Sequence, residues 1–493
     1  MHVVSIDAGT TGIRTIAFSE EGKPVASSYK EFAQHYPASG LVEHDLEEIW
    51  ETALATLKEV VDSVGISSVA AVGITNQRET ACIWDKDSSK PLARAIVWQD
   101  RRTASRCSKL RSEGLEAVVR EKTGLVIDPY FSATKFEWLL QRIPSKHLST
   151  VALGTIDSWL LWKLTGGEVH ATDWSNASRT MLFDIRTLEW SEELCSVFGV
   201  PIEALPRPLP SASLFGETQT HVTGIAAPIT GVLGDQQAAL FGQCCFKEGM
   251  SKNTYGTGSF VLTNVGDSPP PPTEGLLASV AWGIDGLPVY VLEGSIFVTG
   301  AAVQWLRDGL GIISDAAETE RFASAVDDTG DVYFVPALTG LGSPWWDPYA
   351  RGTIVGISRG TRKEHIVRAV VEAMAYQTRD VVSAMESAFG KQIVELRVDG
   401  GASAMDLLLQ LQADQLGVVV RRPKVTETTA LGAAYLAGLV VGVWSSLDAL
   451  SQTWQLDKEF HPNTDRSRAN TSYQRWLEAI DRARGWAKDT SKI

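Results

Sequence analysis

The run VVSIDAGTTGIRTIAF, residues 3–18, decides how the rest of the chain is read. Two β-prone stretches, 3–6 and 14–18, flank a turn built from glycine and threonine, which reads as a β-hairpin opening a domain. Glycine lets backbone N–H groups approach an anion closely, and threonine hydroxyls add further donors. Asp7, at the end of the first stretch, can hold Mg²⁺ through its waters, and Arg14 is spaced to meet a phosphate oxygen. The same residues also fit an ordinary hairpin turn.

Outward from this hairpin, residues 46–64 carry apolar residues at helical spacing and residues 69–75 read as a strand. Such alternation predicts an α/β layered domain. Far downstream the pattern returns: 252–255, the turn Gly256-Thr257-Gly258, then 259–264. Two Gly-Thr hairpins half a chain apart predict two similar domains, 1–244 and 245–493, and 493 residues exceed what one compact core accommodates. The second half continues with a helix over 300–307, a glycine-rich loop over 339–342 and a long amphipathic helix over 363–389. A strand over 396–398 ends in Asp399-Gly400-Gly401-Ala402. A buried helix over 429–441 and a charged surface helix beyond Pro462 complete the pattern.

Composition narrows the partners. The formal charge of −14 argues against nucleic acid or an anionic membrane as main partner, although ATP needs only local donors and a metal ion. Five cysteines without CxxC spacing point away from a disulfide framework or zinc site and toward a reducing cytoplasm. The most apolar segment, 431–444, is shorter than the ~20 residues that span a bilayer. No stable membrane insertion and no signal peptide are expected.

Three strand ends carry further polar strings. Asn76-Gln77-Arg78-Glu79-Thr80 follows the strand at 69–75, and Trp98-Gln99-Asp100-Arg101-Arg102 follows a short strand at 95–97. Strands that end together put both strings at one crevice. An adjacent Arg78 and Glu79 offer a donor and an acceptor to neighbouring hydroxyls, or else a surface ion pair. Asp235, after the strand at 229–233, reads either as a general base or as a helix N-cap.

These strings resemble the FGGY carbohydrate kinases, a family within the actin, hexokinase and chaperone ATPase superfamily. The resemblance is carried by residues 7–12, YFSATKFEWL (130–139) and GTIVGISRGTRKEHIVRAVVE (352–372). Within the family, NQRET, IVWQDRR, TGLVIDPYFSATK, GDQQAALFGQ, KNTYGTGSF, QWLRD, WWDPYARG and TALGAAYLAG look like the branch that phosphorylates glycerol. The resemblance implies two ribonuclease H-like (actin-like ATPase) domains, α/β with mixed sheets flanked by helices, and an active site in the cleft between them. It implies ATP and Mg²⁺ as cofactors, glycerol as substrate, and a homodimer or homotetramer. Arg78, Glu79, Tyr130, Asp235 and Gln236 resemble the glycerol-binding residues, with Trp98 and Phe260 as apolar walls and Asp235 as catalytic base. Asp7, beside Asp235, resembles the metal-linked carboxylate. Thr10, Thr11, Gly12, Arg14, Thr257, Gly300, Gln304, Gly401 and Met405 fall at nucleotide-contact positions. A kinase for another small polyol or triose, or a catalytically silent nucleotide-binding paralogue, would share most of these features.

Ala8, Gly12 and Met405 depart from the family pattern, which has glutamine, serine and asparagine there. The segment ETQTHVTGIAAP (217–228) holds no Lys or Arg where some relatives carry a basic loop for fructose 1,6-bisphosphate. His221, within it, lies near where certain relatives are phosphorylated, and reads here as a lone exposed histidine. Addition of fructose 1,6-bisphosphate at millimolar levels should leave the reaction rate unchanged, and a saturable inhibition curve would contradict the prediction.

Overall fold

The computed structural model describes residues 1–488. Its frame is two mixed β-sheets. The first is built from β1 (His2–Ala8), β2 (Gly12–Ser19), β3 (Pro24–Glu31), β4 (Val69–Asn76), β5 (Ala212–Glu217) and β6 (Pro228–Gly234), in the order β5-β6-β4-β1-β2-β3. The second is built from β7 (Met250–Tyr255), β8 (Ser259–Gly266), β9 (Leu277–Ile284), β10 (Leu287–Ile296), β11 (Glu395–Gly400), β12 (Val420–Pro423) and β13 (Leu456–Phe460), in the order β9-β10-β8-β7-β11-β12-β13.

Strand directions make the two sheets one design used twice. In the first, β6, β4 and β1 run parallel, β2 and β3 continue antiparallel, and β5 closes the far edge antiparallel. In the second, β12, β11 and β7 run parallel, β8 and β10 continue antiparallel, and β13 closes the far edge antiparallel; β9 is an addition outside β10. The hairpin β1–β2 therefore matches β7–β8, which is the repeat heard in the two Gly-Thr turns.

Helices cover the sheets. In α1 (Leu46–Val64) the Asp45 carboxylate caps the N–H groups of Glu47 and Glu48. Leu46, Ile49, Ala53, Leu57, Val60 and Val61 form the buried stripe. The long α3 (Lys363–Phe389) stops where Gly390 turns left-handed, φ 72°. Two helices lie between the sheets, α2 (Asp235–Gly242) and α5 (Thr428–Val440), and α5 is apolar on all sides because the first sheet covers one side of it and α2 another. Val3, Ile16 and Phe18 of the first sheet share one core with Leu262 and Val291 of the second and with Leu431 and Leu436 of α5.

The two helices cross with their backbones in contact. A Cβ at Gly242 would lie 2.0 Å from Thr428 O, and one at Gly432 only 1.8 Å from Ala238 O. Gly73 in β4 makes similar room for Ala433 O, which a Cβ there would approach to 2.4 Å. All five cysteines are free and buried. Among the described residues no helix is long and apolar enough to cross a membrane.

Two elements differ from the sequence reading. The helix expected over 300–307 is α-helical only over Gly300–Gln304. It then widens to a π-turn at Trp305–Gly309, where Trp305 stacks flat on Phe334. The C-terminal segment forms α6 (Ser467–Ala483), which is docked rather than merely superficial, because Trp476, Ala479, Ile480 and Ala483 make a buried stripe.

Gly432→Ala should cost about 3 kcal/mol or more in urea-unfolding free energy, since the new methyl meets backbone rather than a yielding side chain. Gly401→Ala, with nothing within 4 Å of its Cβ position, should stay within about 0.5 kcal/mol of the parent.

Candidate active site

Because β1, β4 and β6 are parallel neighbours, their carboxyl ends open on one edge. Asp7 lies at the end of β1, residues 76–80 follow β4, and Asp235 begins α2 directly after β6. The matching ends of the second sheet present the turn Gly256–Gly258 between β7 and β8, and Gly401 after β11.

Arg78 is the centre of the cluster and is 2% exposed. Its Nη1 donates to Glu293 Oε2 at 2.6 Å and its Nη2 to Glu293 Oε1 at 3.1 Å, a two-pronged pair reaching β10 of the second sheet. Nη1 also donates to Gln237 Oε1 at 3.2 Å, and Nε lies 3.1 Å from Asp235 Oδ1. Gly234 allows this arrangement, because a Cβ there would lie 2.7 Å from Arg78 Cδ. The sequence-level alternative of an exposed Arg78–Glu79 pair is excluded by the burial of both side chains.

Glu79 sits at φ 62°, a conformation most side chains avoid, and its surroundings hold it there. Arg179 Nε donates to its carboxylate at 2.6 Å, while Ser132 Oγ and Lys135 Nζ donate to its carbonyl at 3.0 and 3.3 Å. Arg179 Nη2 also donates to Glu293 Oε1 at 3.1 Å, so Arg78, Glu293, Arg179 and Glu79 form one chain of alternating charge. The Arg179 guanidinium lies over the rings of Tyr130 and Phe131. Tyr130 meets Trp98 edge to face at 5.7 Å, and Trp98 Nε1 donates to Thr10 Oγ1 at 3.0 Å, linking this pocket to the first Gly-Thr turn.

Asp235 is more open, its side chain 31% exposed. Its Oδ1 accepts from the Gln236 N–H at 2.7 Å. Desolvation raises its carboxyl above the usual range against the pull of Arg78. Burial, the Asp235 charge and Glu427 together push the Asp7 carboxyl up to about 7. Two carboxyls that repel in this way are a donor set a divalent cation relieves. No cluster of three or more His, Cys, Asp or Glu that could hold a metal ion occurs among the described residues. Mg²⁺, which keeps several waters and takes one or two carboxylates plus phosphates, fits a pair.

The remaining sequence candidates fall around the two turns. Thr10 is half-buried, Thr11 exposed and Gly12 enclosed. A Cβ at Gly12 would lie 2.6 Å from Lys30 O and 2.7 Å from Tyr29 Oη, so the turn here leaves no room for a side chain. Ala8 is buried in the first sheet's core and presents nothing to the turn's open side. Arg14 is drawn to Glu427, the residue before α5, and lies over the Tyr29 ring. The Thr257 carbonyl accepts from the N–H groups of Thr299 and Ala301, and a Cβ at Gly300 would lie 2.7 Å from Gly256 O. These contacts place Gly300 against the second turn. Gln304 is exposed one turn further on. Gly401 is open, and Met405 is half-buried before α4 (Asp406–Leu416). Phe260, half-buried on β8, packs against the shared core.

Sequence reading assigned no role to Glu293, Arg179, Lys135 or Lys252, all fully buried. Lys252 Nζ donates to Thr254 Oγ1 at 2.9 Å and to Gln236 Oε1, and desolvation lowers its ammonium to about 8. The available signal was a lone charge inside an apolar strand, as Glu293 is within LPVYVLEGSI.

The profile of the FGGY family of carbohydrate kinases, N-terminal domain, matches residues 2–242, and that of the C-terminal domain matches residues 251–440. Glycerol kinase 2 of Thermotoga maritima is 53% identical over 493 residues, covering 99% of each chain. The glycerol kinase of Carboxydothermus hydrogenoformans is 54% identical over 492 residues, covering 98% of each. Among solved structures, Plasmodium falciparum glycerol kinase with ADP aligns with a TM-score of 0.93 at 35% identity, covering 98% of each chain.

Although burial opposes it, the flanking Arg179 and Arg78 hold the Glu293 carboxyl down at about 2, against 4.5 ordinarily. Its ionised form therefore stabilises the fold fully above about pH 4.5, and that contribution is lost as pH falls toward 2. Glu293→Gln should cost about 3 kcal/mol at neutral pH, with the gap to the parent narrowing in urea unfolding below pH 4.5.

Proposed function

The chain belongs to the FGGY family of carbohydrate kinases, and from that membership we propose that it transfers the terminal phosphoryl group of ATP to glycerol. The products are ADP and sn-glycerol 3-phosphate. One observation carries the reading: Arg78, Glu79 and Asp235, from two strand ends, converge with Tyr130 in one charged cluster whose inner members are buried and whose Asp235 is open. The chain matches proteins named glycerol kinase from end to end.

In this reading Arg78 donates to a glycerol hydroxyl while Glu79 accepts from another, and Tyr130 and Gln236 fix the remaining orientation. Trp98 and Phe260 flank the carbon chain. Asp235 accepts the proton of the attacking hydroxyl as the new O–P bond forms and the bond to the ADP oxygen breaks. Its raised carboxyl suits it to that task, with Arg78 pulling toward the ionised form. The turn at 9–12, with Thr257 and Gly258 of the second turn, offers backbone N–H groups to phosphates, while Gly300, whose own N–H donates to Gly256 O, packs behind that second turn. Gln304, Gly401 and Met405 border the nucleotide base. Asp7 and Asp235 would hold Mg²⁺, which would supply positive charge to the phosphates. Residues 1–244 then carry the polyol side and 245–493 the nucleotide side, in a cytoplasmic homodimer or homotetramer.

A coupled ADP-release assay with Mg-ATP across a panel of small polyols tests the substrate. Glycerol turnover well above the rest is expected, whereas preference for another polyol or for a triose would overturn it. Asp235→Asn should retain glycerol binding while kcat falls roughly 10²–10⁴-fold. A near-normal kcat would remove Asp235 from the base role.

A further inference from the structure

The donor that faces the polyol in the first sheet is held by a carboxylate of the second. Arg78 follows β4, but both of its terminal nitrogens donate to Glu293, which stands on β10 and is itself fully buried. Glu293 Oε1 is shared with Arg179 Nη2, and Arg179 Nε holds Glu79. The two groups assigned to the glycerol hydroxyls are thus fixed from behind by two residues with no solvent exposure of their own.

Resting on the proposed function, we infer that Glu293 and Arg179 are positioning residues that act as one clamp to set the geometry of the polyol subsite. Glu293 occupies both Nη atoms of Arg78, so that Arg78 offers Asp235 only its Nε, at 3.1 Å from Oδ1. No hydrogen bond to Asp235 Oδ2 is made by any described residue, and that oxygen stays free to take a proton. Without the Glu293 carboxylate, the planar fork of Arg78 turns toward the nearest remaining acids, Asp235 and Glu79, the latter already 3.8 Å from its Nε. Arg78 then neutralises the base and withdraws a donor from the polyol. Arg179 does the corresponding work for Glu79. A lysine there keeps the charge but cannot span two carboxylates in one plane.

The test is steady-state kinetics on Glu293→Gln, Arg179→Lys and the double variant, with the glycerol and ATP KM values determined separately. Each single variant should raise the glycerol KM on the order of 10-fold or more, the scale of a lost charged hydrogen bond, while the ATP KM moves less than about 2-fold. The double variant should be little worse than either single one, because the two residues form one unit. A glycerol KM left unchanged in both single variants, or glycerol and ATP KM values rising together, would overturn the clamp. Should Glu293→Gln fold poorly, Arg179→Lys alone decides by the same split. Failure of the parent protein to phosphorylate glycerol sinks the proposed function and the clamp together. A parent that turns glycerol over beside variants with unchanged glycerol KM sinks the clamp alone.

Discussion

Two helices whose backbones touch hold the molecule together. At the crossing of α2 and α5 neither Gly242 nor Gly432 has space for a single methyl group, so the helix axes approach as closely as polypeptide permits. That approach brings α5 into one core with strands of both sheets. It also fixes where the sheets stand relative to each other. Asp235 is the first residue of α2, and Glu427 precedes α5, so the ends of the crossing helices deliver charged groups to the edge where the strands end.

The charged cluster is the costly counterpart of that core. Removing Arg78, Arg179, Glu79 and Glu293 from water is unfavourable for each ion taken alone, and the interior tolerates them only as a closed alternation of donors and acceptors. Arg179 Nη1 has no hydrogen-bond partner, so even this chain of pairs is not fully satisfied. Buried ion pairs of this kind are often no more stabilising than well-packed apolar residues of similar volume. What the ions provide is orientation: each guanidinium plane is defined by two carboxylates, and the Glu293 carboxylate that joins them is held by three nitrogens. The left-handed backbone at Glu79 persists for the same reason, since three neighbouring groups over-determine it.

Local features were legible in the chain, and pairings at long range were not. Helical spacing marked α1 and α3 at their observed bounds, and the two Gly-Thr turns marked the hairpins β1–β2 and β7–β8. The doubled sheet could only be suspected, because strand order depends on contacts such as β1 with β4 that have no local signature. α6 looked superficial because its charges outnumber the four residues that bury it. At the candidate site, Arg78, Glu79 and Asp235 stood out because each follows an obvious strand. Glu293 and Arg179 are 215 and 100 residues from the partners they hold, Arg78 and Glu79, and nothing in their own neighbourhoods announces those partners. Position 12 shows the reverse case. Its glycine looked like a lost hydroxyl, yet the Lys30 carbonyl and Tyr29 leave no space there for a side chain.

The cysteines carry a practical consequence. Cys82, Cys107, Cys195, Cys244 and Cys245 are all enclosed, and burial pushes each thiol well above its ordinary range, so little thiolate is offered to a reagent in the folded protein. The native surface is in effect silent toward maleimides. One cysteine introduced on an exposed turn of each sheet would give a pair of dye positions against a blank background. The separation of the two halves could then be followed by fluorescence in solution, with no need to strip the natural thiols first.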